Sequence, residues 1–250
     1  MTGDRTGIRA LVTGASSGVG RAVATRLAAD GARVALLARR ADVLELISEE
    51  LGGGHPVLAC DVADAAQAER AVASAADQLG GLDLVVNSAG VCLPVTLEHL
   101  DTATFAETLA INLTGTFTVA RSAALIMRAG AGGTIVNVGS ELGSIGMAGF
   151  AHYCASKAGV VGLTRALAAE LAPTVRVNAV VPGPIDTPML EAELALTDDP
   201  AATRVEALER VPLGRFATAS EVAAAILFVG LDAGYATGSC LALDGGTTVV

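Results

Sequence analysis

At 250 residues, 52% of them hydrophobic, the chain is long enough to bury a large core, and α/β folds of this size occur as one unit. A formal net charge of −10 with no basic stripe argues against a nucleic-acid backbone as partner. Mean hydropathy is +0.57, yet no apolar run approaches the roughly 18 residues that span a bilayer, and the first residues pass into Ile8 to Val12 without the pattern of an export signal. The expectation is a soluble, cytoplasmic, single-domain protein with no membrane partner. Cys60, Cys92, Cys154 and Cys240 are scattered without a C-x-x-C pair and the three histidines do not cluster, so reduced thiols and no metal are expected.

The first strand-like run, Ile8–Thr13, leads into Thr13-Gly14-Ala15-Ser16-Ser17-Gly18-Val19-Gly20, where a helix over Val19–Asp30 opens. Glycines there permit a tight turn, close approach of a pyrophosphate and close helix-strand contact, and the helix N-terminus favours an anion. A glycine cluster alone is often only a turn. Between a first strand and a first helix it reads as a dinucleotide loop, with Gly14, Ser16, Ser17, Gly18, Val19 and Gly20 as its contacts.

The second run, Arg33–Ala38, ends in Ala38-Arg39-Arg40, without the carboxylate that accepts from the 2′-hydroxyl of NAD. Arg39 and Arg40 can instead fork onto a 2′-phosphate, which favours NADP(H) over NAD(H); the alternative is a solvated loop before Asp42. A helix over Ala41–Leu51, a strand over Pro56–Cys60, a helix over Ala65–Leu79 and a strand over Leu82–Asn87 follow. Beyond them are a long helix, Thr102–Ala129, a strand, Thr134–Ser140, and a helix, Ala151–Leu171. The remaining elements are strands over Val175–Val181 and Cys240–Leu243, with a helix over Ser220–Val229 between them. The strands are near-continuous apolar runs, as in sheets covered on both faces. The expected architecture is α/β: a Rossmann-like, doubly wound parallel sheet of about seven strands, with ligands at the carboxyl edge. Residues 186–212, with Pro188, Pro200, Pro212 and many charges, are long for a connection and read as a substrate lid or as a surface helix pair.

Ser140 closes the fifth run, and Tyr153 and Lys157 stand four apart on the next helix, one face bringing ammonium beside phenol. A free phenol has a pKa of about 10, and a neighbouring cation favours its phenolate, so the pair can serve as a tuned acid/base. Taken alone, such a pair is equally a solvated helix face.

With the G-x-x-x-G-x-G spacing, Asn87-Ser88-Ala89-Gly90, Ser140, Tyr153-x-x-x-Lys157 and Pro182-Gly183 in this order, essentially the whole chain resembles the short-chain dehydrogenase/reductase family. The overall likeness is to 3-oxoacyl-[acyl-carrier-protein] reductases and their relatives. The resemblance implies that Ser140 polarises a substrate carbonyl, that Tyr153 exchanges the proton, and that Lys157 lowers the tyrosine and holds the nicotinamide ribose. It implies that Asn112 keeps a water in a relay to Lys157. Asp61 and Val62 would contact adenine, although Asp61 is also a candidate helix N-cap. Asn87, Ala89 and Gly90 would form the wall near the adenine ribose and the sheet centre, with Ser88 in place of the family's second asparagine. Pro182, Gly183, Ile185 and Thr187 would clamp the carboxamide. A homo-oligomer, tetramer or dimer, is implied as well.

The implied activity is hydride transfer between NADP(H) and a ketone/secondary alcohol pair, 3-oxoacyl reductase-like. The alternative is a dehydrogenase of cyclic, aromatic or polyketide-like alcohols, which the acidic lid favours over an acidic carrier protein. A cofactor-sensing protein without turnover would be expected to lack Tyr153 or Lys157, and both are present. Leu93, Met189 and His152 are candidate substrate contacts, and Glu141 is either a substrate contact or a structural one. A mainly hydrophobic substrate is expected.

Overall fold

The structure is a computed structural model that describes residues 3–249. In chain order it opens with β1 (Arg9–Thr13), α1 (Gly18–Ala29), β2 (Arg33–Ala38), α2 (Ala41–Glu50), β3 (Val57–Ala59), α3 (Ala65–Leu79) and β4 (Leu84–Asn87). Next come α4 (Thr102–Leu109), a π-helical stretch at Ala110–Gly115, α5 (Thr116–Ala129), β5 (Gly133–Val138), a 3₁₀ turn at Glu141–Gly143 and α6 (Ala151–Leu171). Then follow β6 (Val175–Pro182), β7 (Ile185–Asp186), α7 (Pro188–Leu194), α8 (Pro200–Glu209), β8 (Ala217–Thr218), α9 (Ala219–Leu227), a second π-helical stretch at Phe228–Asp232 and β9 (Cys240–Leu243).

The main sheet has seven strands in the order β3-β2-β1-β4-β5-β6-β9, all parallel. Successive residues of a strand point to opposite faces, and both faces here are apolar. Leu11, Ala35, Val85 and Ile135 pack into one core with α3, α5 and α6. Their neighbours Val12, Val34, Val86 and Val136 pack into the other with α1, α2 and α9. The strand order reverses at β1 and β4, where Thr13 pairs with Asn87. The carboxyl ends of these two strands therefore flank the crevice in which such sheets bind ligands.

Three elements depart from the sequence reading. The expected single helix over Thr102–Ala129 is continuous but loosens into its π-helical turns at Asn112, where the Thr116 hydroxyl donates to the Asn112 carbonyl at 2.8 Å. This helix is long and apolar enough to cross a membrane by composition, with a mean hydropathy of 1.3 over its best window; here it packs against α3 and α6. The segment after β6 is a helix pair: Pro188 and Pro200 occupy first-turn positions of α7 and α8, where a missing N–H costs nothing. Asp199 caps α8 by accepting from the Ala202 amide at 3.0 Å. Its apolar side chains form a small core of their own, Leu190, Leu194, Val211 and Phe216.

The third departure is at the end of α9, which runs on through its π-helical stretch. Arg176 on β6 takes up the carbonyls left there, donating to Val229, Gly230, Ala233 and Ala236 and to the Thr134 hydroxyl. A cation at a helix C-terminus is favourable, and its loss strands several carbonyls together. Arg176→Met is expected to lower stability by about 3 kcal/mol in urea unfolding. A loss below about 1 kcal/mol would mean that water replaces the guanidinium at no real cost.

Candidate active site

A cavity of about 670 Å³ opens along the carboxyl edge of the sheet and receives residues from the first loop to the C-terminal segment. At one end the backbone does most of the shaping. Gly14 has φ +67°, and a Cβ there would stand 2.9 Å from the Ala89 amide and the Ser88 carbonyl. The Thr13 hydroxyl accepts from the Ser88 and Ala89 amides, both at 3.0 Å, and so ties the loop after β4 to the glycine loop. The departure at Ser88 is thus harmless to that loop, since the tie uses its amide. Gly20 does not line the cavity; a Cβ there would overlap the Gly14 carbonyl, so its part is helix-strand contact.

Ser17 stands at the N-cap of α1 but makes no side-chain cap, so the first-turn amides are left to a ligand; Ser16, Gly18 and Val19 line the cavity with it. Arg40 donates to the Ser16 hydroxyl at 3.4 Å. Arg39 is exposed on the cavity rim and has no ion pair or hydrogen bond among the described residues. Asp61 and Val62 line the same end. Asp61 is not the N-cap of α3, a place taken by Asp64; it accepts from the Ala63 amide at 3.0 Å. Asn87 departs from the expected ribose wall. It is buried under the sheet edge, donates to Asn137 at 2.9 Å, and keeps an unpartnered Oδ1, while Ala89 and Gly90 do line the cavity. Unsatisfied helix amides, a glycine cradle and an unpaired guanidinium fit a dinucleotide phosphate chain. Among the described residues no His, Cys, Asp or Glu cluster could hold a metal ion.

At the centre of the cavity stand Ser140, Tyr153 and Lys157. The Ser140 hydroxyl accepts from the Leu142 amide at 3.2 Å, which fixes it at the start of the 3₁₀ turn. A Cβ on Gly143 would come within 2.9 Å of the Lys157 backbone, so glycine lets that turn dock on α6. The Lys157 ammonium donates to the Val138 carbonyl at 2.9 Å and lies 5.5 Å from the Tyr153 ring centroid. Burial pushes the Tyr153 phenol above its ordinary value of 10, the neighbouring acidic groups Cys92, Glu193 and Glu141 act in the same direction, and hydrogen bonding with Ser140 works the other way. Burial, rather than Lys157, therefore dominates the tyrosine in the protein alone, and the phenol is held as the acid.

Asn112 is fully engaged by protein. Its amide donates to the Val91 carbonyl at 2.9 Å and the Ser156 hydroxyl at 3.1 Å, and its carbonyl accepts from the Val91 amide at 2.8 Å. The side chain positions the loop after β4 against α6. Pro182, Gly183, Ile185 and Thr187 line the cavity above the glycine loop, and Thr187 lies within van der Waals reach of the Gly18 position.

The substrate end differs most from expectation. Met189 lines it, but Leu93 and His152 do not. Leu93 points to solvent, while His152 is buried with its Nε2 at 3.1 Å from the Leu93 carbonyl, so it holds the loop from behind. Adjacent helix positions diverge by about 100°, so Tyr153 facing the cavity turns its neighbour away. Glu141 lines the cavity and is also structural: it accepts from the Thr247 hydroxyl and sits against Gly183. Cys92, Phe150 and Met147 also line the cavity, as do the inward faces of α7 and α8, which bring Glu193, Glu206 and Arg210 to it, and none of these was singled out in the sequence as a site residue. Helical spacing marks a face but not which layer it meets; Met189 and Glu193, four apart, were the available signal.

Burial lowers the Lys157 ammonium to about 8 from an ordinary 10.5. Below about 8, folded and unfolded chains both hold the proton; between there and 10.5 only the unfolded chain does, so stability from this group rises with pH across that window. Lys157→Met should abolish a rise of roughly 1–3 kcal/mol in the protein without cofactor. The check is the difference between wild-type and variant thermal unfolding from neutrality upward, and a flat difference would contradict the buried-ammonium reading.

A family profile described as Enoyl-(Acyl carrier protein) reductase matches residues 14–248. D-threitol dehydrogenase of Mycolicibacterium smegmatis is 40% identical over 245 residues, 96% of this chain and 92% of that protein. The 3-oxoacyl-[acyl-carrier-protein] reductase FabG of Thermotoga maritima is 37% identical over 244 residues, covering 96% and 97%. A crystal structure from Brucella melitensis, titled as a short-chain dehydrogenase/reductase of glucose/ribitol dehydrogenase type, superposes with a TM-score of 0.91 at 32% identity, over 99% of both chains. Matches over nearly the whole length, on a seven-stranded parallel sheet with serine, tyrosine and lysine gathered at its carboxyl edge, place this chain in the short-chain dehydrogenase/reductase family, as an oxidoreductase of alcohol and ketone groups related to 3-oxoacyl-[acyl-carrier-protein] reductases.

Proposed function

We propose that the protein is an NADP(H)-dependent oxidoreductase of a ketone/secondary alcohol pair, with Ser140, Tyr153 and Lys157 as its catalytic residues. The observation that carries this reading is their convergence on one cavity with the glycine loop and Arg39. The bound nicotinamide supplies or accepts the hydride. Ser140 orients the substrate oxygen, and Tyr153, kept protonated by burial, gives its proton to that oxygen as negative charge develops there in reduction. In the opposite direction the phenolate takes the proton back. Lys157, already desolvated beside the ring, supports that phenolate and is placed to hold a ribose hydroxyl.

The preference for NADP(H) is supported by Ala38 at the end of β2 and by the free guanidinium of Arg39. Residues 186–212 serve as the substrate lid, and the protein is a cytoplasmic homo-oligomer, dimer or tetramer, with Phe117 and Leu125 exposed along α5. For the substrate, the likeness to FabG supports a 3-oxoacyl-type ketone. The inward carboxyls Glu193 and Glu206 favour the second reading, a free cyclic or polyketide-like alcohol rather than a chain presented by an acidic carrier.

Tyr153→Phe should cut turnover roughly 1,000-fold while NADPH affinity, read by fluorescence titration, stays near wild type. Near-normal turnover would remove the proton-transfer role. Lys157→Ala is expected to weaken both. Arg39→Asp should move the NADPH/NADH ratio of kcat/KM toward NADH by about tenfold or more, because a carboxylate repels the 2′-phosphate. A wild type that already prefers NADH would overturn the cofactor assignment.

A further inference from the structure

The cavity wall opposite the sheet edge is made by α7 and α8, and its composition is not that of a hydrophobic pocket. On α7, Met189 and Glu193 stand four apart and both reach the cavity. On α8, Thr203 and Glu206, with Arg210 at the C-cap, follow the three- and four-residue spacing of one helical face and reach it too. The outward acids of the lid are paired or solvated: Glu191 and Asp186 share Arg204. Glu193 is different. It is partly buried, faces Cys92 and Tyr153 across the cavity, and pairs with no cation among the described residues. Arg204 is committed elsewhere, and Arg210 donates to the Met147 sulfur at 3.5 Å.

Among the described residues the hydrogen-bonding neighbour of the Glu193 carboxyl is the Cys92 thiol, a weak donor. A partly buried carboxyl with a single weak protein partner keeps most of its acceptor capacity for a ligand. Glu193 lines the same cavity as Cys92, Ser140 and Tyr153, so its carboxyl borders the chamber in which the substrate oxygen would react. Apolar side chains, Pro94, Met147, Phe150 and Met189, supply the rest of that chamber and suit a carbon framework. A framework with a hydroxyl beside the reacting carbon satisfies both halves of the wall. A bare ketone or an acyl chain would leave the carboxyl dry and unpaired, at a cost to its binding.

We propose that Glu193 is a specificity-determining residue that accepts a hydrogen bond from a second hydroxyl of the substrate, so that the protein acts on vicinal diols and the matching hydroxyketones. This rests on the hydride-transfer reading above and narrows its substrate class. The second hydroxyl takes no part in the redox step and keeps its proton. Its recognition enters chiefly through binding, and the expected signature is a change in KM more than in kcat.

The test compares a vicinal cycloalkane diol with the cycloalkanol of the same ring, each oxidised with saturating NADP⁺ and, in parallel, NAD⁺. The wild type is expected to favour the diol in kcat/KM by about tenfold or more. In Glu193→Leu that ratio should fall by about tenfold, mostly through KM, whereas Glu193→Gln, whose amide carbonyl still accepts, should retain most of it. A wild-type ratio near unity overturns the proposal with the hydride chemistry intact, and so does a ratio that survives in a folded Glu193→Leu protein. Turnover of neither alcohol with either cofactor would overturn both readings together.

Discussion

A lysine buried at the carboxyl edge of a parallel sheet is the constraint on which the site depends. Desolvation disfavours its charge, so the protein must surround Lys157 with partners that cannot drift. The Val138 carbonyl at the end of β5 accepts from it, and the Tyr153 ring covers it. Around that pair the backbone closes at two glycines. Gly143 lets the turn carrying Ser140 dock on the helix at Lys157, and Gly90 leaves room for Asn112 and the ammonium together. Asn112 then binds Val91 and Ser156, which joins the loop after β4 to α6. The π-helical turns at Ala110–Gly115 fit this role, since such distortions of an α-helix recur where a side chain must be re-aimed at a functional site.

Much of this was legible in the chain. Continuous apolar runs located every strand of the main sheet, because residues that fill both faces leave no polar alternation to confuse the reading. The glycine loop, Ser140, Tyr153 and Lys157 stood out through the family resemblance that their order and spacing carry together, since the Tyr/Lys pair alone reads equally as a solvated helix face. The failures share a different cause. Asn87, Leu93 and His152 lie beside residues that reach the cavity, but the direction of a single side chain is set by contacts distant in sequence: Asn137 for Asn87, and the α6 register for His152. The tyrosine was expected to be governed by its lysine, a local pair, and is governed first by burial, which only the tertiary structure supplies. In residues 186–212 the prolines and charges left a substrate lid and a surface helix pair both open, and which face of each helix turns inward depends on contacts distant in sequence.

The two ends of the cavity are built by different means, and this separates their functions. The nucleotide end is formed largely by backbone: glycines at close approach, helix amides and the Thr13 tie. The substrate end is formed by side chains on two short helices that have their own small core. Those helices are fastened to the body through the paired strands β7 and β8, through Arg204 spanning Asp186, Glu191 and the Phe216 ring, and through Gly245, whose carbonyl accepts from the Leu213 amide at 3.1 Å.

That fastening involves some cavity-lining positions of the helix pair and leaves others out. Leu190 and Leu194 hold α7 in place and line the cavity as well, while Met189 and Glu193 line it without belonging to that small core. A charged residue at such a position costs desolvation without any structural gain, unlike Arg176, whose burial is offset by five hydrogen bonds. The cost at Glu193 is explicable if a ligand offsets it. On that reasoning the proposed lid is where substrate choice can change without disturbing hydride transfer: Ser140, Tyr153 and Lys157 are held by the sheet edge and α6, through hydrogen bonds that come from outside residues 186–212.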